Sequence, residues 1–149
     1  MADLILKPAS AGDTFKLQNG AGTSVLEVSD NLASYSKGIS ENANTLTQSS
    51  GTITIDLATG TFFEFTLTEN VTGWTFSNVP ASGTACAWVI KITQHGSSAK
   101  TIAYPSAIKW AVSTDHVMST ATGAIDLISM FTIDGGTTIY ANEVGKAFA

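Results

Sequence analysis

The sequence predicts an all-β protein: an antiparallel β-sandwich or jelly-roll-like domain preceded by a small N-terminal β arm. Three observations predict it. Apolar and polar residues alternate with period two in run after run, which is the signature of half-buried strands. β-Branched and aromatic residues fill these runs, with Gly, Pro, Asn, Asp and Ser punctuating them at short intervals. No stretch carries a convincing helical period. The expected division is a β arm over residues 1–30, a linker or crossing segment over 31–50, and the main β domain over 51–149.

In the arm, DLILKP and TFKLQNGAGTSVLEVSD contain two alternating stretches around Asn19-Gly20-Ala21-Gly22, a hairpin signal. The glycines lack the strand-to-helix setting of a phosphate loop, so a tight turn is expected there. The segment from 31 to 50 is rich in Ser and Asn and poor in large apolar residues, as a linker would be. Residues 52–57 (TITIDL) place Ile53, Ile55 and Leu57 on one face. Residues 62–68 (FFEFTLT) do the same with Phe63, Phe65 and Leu67, and the intervening ATGT makes the two runs a hairpin candidate. Further strands are expected at 73–77 (GWTFS), 87–94 (AWVIKITQ), 100–104 (KTIAY), 108–110 (IKW), 125–133 and 138–142. The run DLISMF at 126–131 is the best rival segment for a helical turn.

The chain has 149 residues, enough for one domain with a small attachment and a sizeable core. Only 13% of residues are charged, so hydroxyls and backbone must carry much of the surface polarity. Seven Lys, no Arg and twelve acidic residues give a net charge of -5. That balance argues against nucleic-acid binding, which needs clustered cations, and it removes the bidentate fork that phosphate sites favour. Cys86 is the single cysteine, so an intrachain disulfide framework and two-cysteine metal motifs are excluded. No secretory signal or membrane-spanning run is evident, and synthesis in the cytoplasm of the cell that makes it is expected.

The search for chemistry returns little. His95 and His116 lie beside turns without metal-ligand spacing, and both read as loop histidines in water. No G-x-S-x-G elbow occurs. Cys86 sits among Ala85, Ala87 and Trp88 and reads as a small core hydrophobe. Asp56, Glu64 and Glu69 could meet only across strands. Asn70-Val71-Thr72 matches a glycosylation sequon, which carries little weight without a secretory signal. Trp74, Trp88, Trp110, Tyr104 and Tyr140 read mostly as core and rim packing, with a sugar-binding surface as the sharper alternative. Asp134-Gly135-Gly136 reads as a tight hairpin turn, glycine supplying positive φ and Asp134 bonding the turn backbone. No catalytic residue, cofactor or metal site is expected.

Four motifs stand in order over residues 51–149: DLATGTFFEFTLTENVT at 56–72, PASG at 80–83, YPSAIKW at 104–110 and DLISMFTIDGGTTIY at 126–140. Together they resemble a module of virion structural proteins of tailed bacteriophages, often marine ones. Tyr104 departs from that pattern, which has Trp before the proline. The first fifty residues are similar only in style, to short β-rich segments of phage fibre and decoration proteins.

The resemblance implies a non-enzymatic, β-rich, usually trimeric building block of a phage particle. The first expectation is a decoration or cement protein on the outside of the head, with the major capsid protein as partner. Its arm would anchor through Leu4, Ile5, Leu6, Phe15 and Leu17, adding strands to the capsid surface or lying along it. The alternative is a tail-fibre or tail-tip component that contacts tail proteins and host surface glycans. A depolymerase is the remaining, different class. A homotrimer is expected because closed symmetry covers exposed strand edges.

Overall fold

The computed structural model describes residues 15–18, 21, 24–29, 32–35 and 40–149. The chain divides into two units, residues 1–40 and 41–149.

The first unit contains a three-stranded antiparallel sheet in the order β1 (Phe15–Gln18), β2 (Ser24–Ser29), β3 (Leu32–Tyr35). β1 and β2 pair antiparallel, with Leu17 opposite Leu26 and a register shift before Gln18; of the turn expected at 19–22, all but Ala21 lies outside the described residues. β3 extends the expected hairpin by one strand, paired Leu26↔Tyr35 to Ser29↔Leu32. The boundary between the units therefore falls inside the expected linker, and strands occupy both sides of it.

The second unit is all-β with mixed sheets. Its strands are β4 (Asn44–Thr45), β5 (Gln48–Ser49), β6 (Thr52–Asp56), β7 (Phe62–Thr66), β8 (Gly73–Ser77), β9 (Cys86–Thr93), β10 (Ile108–Trp110), β11 (Ile125–Thr132) and β12 (Ile139–Phe148). One sheet has six strands in the order β10-β12-β11-β9-β7-β4, and another has three in the order β5-β6-β8.

The antiparallel expectation holds only for part of this. β9, β11 and β12 are antiparallel neighbours. β6 and β8, β7 and β9, β4 and β7, and β10 and β12 pair in parallel. The expected hairpin between residues 52–57 and 62–68 does not form. β6 and β7 lie in different sheets, and each pairs in parallel with the strand two positions later, Ile53↔Trp74 in one sheet and Phe63↔Ile90 in the other. The intervening strand in the opposite sheet supplies the crossover that a parallel pair requires.

The physical reason lies in what each strand buries. Ile53 and Ile55 from β6 and Phe63 and Phe65 from β7 are all buried, and residues of both sheets join one core cluster. Phe76 of β8 and Trp88 of β9 meet across it with ring centroids 5.7 Å apart. The turn between β6 and β7 is fixed by Asp56, whose carboxylate accepts from Ala58 N (3.0 Å) and Asn78 Nδ2 (2.7 Å). Asn44 Nδ2 donates to Thr59 O at 3.1 Å on the far side of the same turn.

Two other expectations change. DLISMF forms a strand, inside β11, and not a helical turn. Residues 100–104 form no strand, but one parallel bridge, Val71↔Ile102.

Candidate functional site

Two features of the second unit carry chemistry: a buried polar cluster and an exposed apolar face of the six-stranded sheet.

The cluster centres on Asp126, an acidic residue at an inward-facing position of β11 and fully buried. A buried carboxylate without partners is costly, and Asp126 has four donors. Oδ2 accepts from Ser119 N (2.8 Å) and His116 Nε2 (3.0 Å). Oδ1 accepts from Ser119 Oγ (2.7 Å) and Ala147 N (2.9 Å). Burial pushes its pKa up, but the hydrogen bonds from Ala147, Ser119 and His116 outweigh burial and hold it below the usual 3.8.

His116 is buried, which corrects the expectation of a histidine in water. It comes from a long loop that the alternation pattern does not describe, and Trp110 stacks on its ring at 5.8 Å. The tautomer that satisfies both ring nitrogens has Nε2–H donating to Asp126 and Nδ1 accepting from Tyr104 Oη at 2.8 Å. Burial is the largest influence on its pKa and holds it below 6.5, against the pull of Asp126 and of Glu143, whose Oε2 lies 3.6 Å from Nε2. Burial and the nearby carboxylates push the Tyr104 hydroxyl far above its ordinary range.

Gln94, also buried, extends the network. Its Nε2 donates to Ser119 O (2.8 Å) and Lys100 O (3.0 Å), and its Oε1 accepts from His95 N and Lys100 N. Lys146 Nζ donates to Val117 O. The cluster thus ties residues 116–119 to β11, to β12 and to Gln94, just past the end of β9.

Chemically this arrangement is closed. Ser119 Oγ donates to Asp126 and not to His116, so the nucleophile-to-base hydrogen bond of a hydrolase triad is not made. The Asp126 carboxylate oxygens each hold two protein donors. Its effect is to fasten a loop.

The other sequence candidates fall apart spatially or into local roles. Glu64 pairs with Lys91 at 2.9 Å, Glu69 accepts from Gly51 N at 2.8 Å, and Asp56 serves its turn. Asn70 Oδ1 accepts from Thr101 N. Cys86 is half-buried against the core, and burial raises its thiol pKa. Among the described residues no group of three His, Cys, Asp or Glu side chains is placed to hold a metal.

Asp134 sits in a six-residue connection between β11 and β12, longer than a tight two-residue turn. Its Oδ1 accepts from Thr132 Oγ1 (3.0 Å) and Thr138 N (2.9 Å), bonds that lower its pKa, the one from Thr138 most. Gly135 and Gly136 have φ of 73° and 82°, the left-handed region that glycine enters without steric cost.

Of the proposed anchoring residues, Leu4, Ile5 and Leu6 lie outside the described residues. Phe15 opens β1, and Leu17 in the same strand is exposed.

The second feature is the outward face of the six-stranded sheet. One row across it runs Phe62, Val89, Ser129, Asn142, and the next runs Ala87, Phe131, Tyr140, Lys109. Phe62, Phe131 and Tyr140 are each nearly half exposed, at 48%, 46% and 45%. Phe131 and Tyr140 stack at 5.0 Å. A depression of about 370 Å³ opens between Phe62 and Phe131. Trp88 and Trp110, expected as packing residues, are buried, whereas Tyr140 belongs to this exposed face.

Comparison of the chain with protein-family models, with curated proteins and with solved structures finds no match.

Proposed function

We propose that the chain is a non-enzymatic structural building block of a tailed-phage virion, acting on the outside of the head as a decoration or cement protein. The virion assignment rests on the sequence resemblance of residues 51–149. The observation that carries the building-block reading is the contrast between the two features above: the polar cluster is spent internally, while aromatic side chains are presented outward in adjacent rows of a sheet. Contiguous exposed apolar surface of that kind marks association.

In this reading the two sheets of residues 41–149 form a sandwich-like block, and the N-terminal segment engages the major capsid protein by main-chain pairing and apolar contact. The test is co-sedimentation of the purified chain with heads that lack it. The full chain should saturate the heads and a chain without residues 1–30 should not bind; saturation by the truncated chain would refute the assignment of the arm. The tail-fibre or tail-tip role is the second reading, favoured by the same exposed aromatic side chains, which suit host glycans. Binding to tails, with none to heads, would select it.

A further inference from the structure

We infer that the outward face of the six-stranded sheet, centred on Phe62, Val89, Phe131 and Tyr140, is the surface through which copies of this chain associate with each other. The inference deepens the building-block reading and rests on it, but does not depend on where in a particle the protein sits.

β11 provides the first argument. Its inward positions are Asp126, Ile128, Met130 and Thr132, and its outward positions are Ile125, Leu127, Ser129 and Phe131. The outward set is at least as apolar as the inward one. A strand apolar on both faces is characteristic of sheets covered on both sides, and on the outward side the fold leaves Phe131 46% exposed.

Charge selects the occupant. The chain carries a net charge of -5, so two copies repel unless they meet through a neutral surface. At its outward strand positions this face carries Glu64 and Lys91, which pair at 2.9 Å in the row next to Phe62 and Val89, and Lys109 beside Tyr140, so it holds no excess of negative charge. A basic partner would be expected to face uncompensated carboxylates, and the outward strand positions of this face offer none, whereas Lys109 suits the acidic surface of another copy.

Shape agrees with charge. The stacked pair Phe131 and Tyr140 stands on the same face as the depression of about 370 Å³ beside Phe62. A knob and a hollow on one surface allow that surface to complement another copy of itself.

The experiment is sedimentation of the full chain at micromolar and millimolar concentrations, compared with the double variant Phe131→Ser/Tyr140→Ser and with Phe62→Glu on a separate strand. Far-UV circular dichroism and thermal melts check that each variant folds, and Val112→Glu, a highly exposed position outside the face, serves as the control. The expected result is a wild-type and control oligomer, with dissociation constants raised at least tenfold in whichever face variants fold. A wild-type monomer throughout, or an oligomer unchanged in the folded face variants, overturns the inference. A monomer whose face variants lose binding to particles overturns self-association while leaving the building-block reading intact. An oligomer broken by the face variants but missing from virions sustains the inference while the virion reading fails.

Discussion

Asp126 and His116 form the most demanding part of the molecule, because each is buried and each depends on the other's protonation state. Replacing Asp126 with Asn retains the shape, but its single NH₂ must face one of two pairs of donors, Ser119 N with His116 Nε2 or Ala147 N with Ser119 Oγ, while the amide oxygen serves the other. The expected cost is about 3 kcal/mol in chemical denaturation, the range for breaking buried charge-assisted bonds. A loss under about 0.5 kcal/mol, the range of ordinary surface substitutions, would contradict this role.

The same pair predicts a pH dependence. The folded state holds His116 below 6.5, so it binds fewer protons than the unfolded chain as the pH falls past that value. The contribution of His116 is therefore complete above about pH 7 and declines below 6.5, toward the folded pKa. Asp126, held below 3.8, adds a second decline at lower pH, as its folded pKa is crossed. Thermal melts from pH 8 to pH 5 should show a falling midpoint in the wild type and a shallower fall in His116→Gln. Parallel curves would contradict the assignment.

Asp126 is not among the expected site residues, although the sequence carries a signal for it. Asp126 lies in phase with Ile128 and Met130, the buried positions of β11, and an acidic residue there must find donors. Which donors could not be read, because His116 and Ser119 belong to a loop without periodicity, brought to β11 by tertiary packing alone.

Between strands, the alternation of TITID and FFEFT located β6 and β7 and identified their buried side chains. It could not say which strands pair, since the same apolar positions face inward whether two consecutive strands form a hairpin or cross between sheets. The crossing geometry puts its demands on the connections. Gly51, between β5 and β6, has φ of 73°, donates its N–H to Glu69 Oε1, and accepts from Thr72 N (2.8 Å) and Gly73 N (3.1 Å). A Cβ there would lie 2.8 Å from Thr72 Oγ1 and 3.2 Å from Asn70 O. Gly51→Ala should therefore destabilise the fold by about 1–3 kcal/mol through left-handed strain and crowding. An unchanged denaturation midpoint would mean that the entry to β6 is looser than this packing implies.

For the molecule as a unit of assembly, the division of labour is between an interior in which Asp126, His116 and Gln94 find hydrogen-bond partners within the fold and an outward sheet face that leaves aromatic rings half exposed. Sequence alternation could not assign that face. In β11 both sets of alternating residues are largely apolar, and only the position of the second sheet decides which set becomes the core. Composition, with few charges and no arginine, pointed away from nucleic acid and toward a surface made polar by hydroxyls and backbone. The central claim is that this surface makes the contacts that build a virus particle. Cryo-electron microscopy of purified virions encoding this chain tests it most directly. The account predicts density for the mixed β unit repeated over the head surface, with neighbouring copies meeting through Phe131 and Tyr140. Particles with no copy of the chain in head or tail would contradict it.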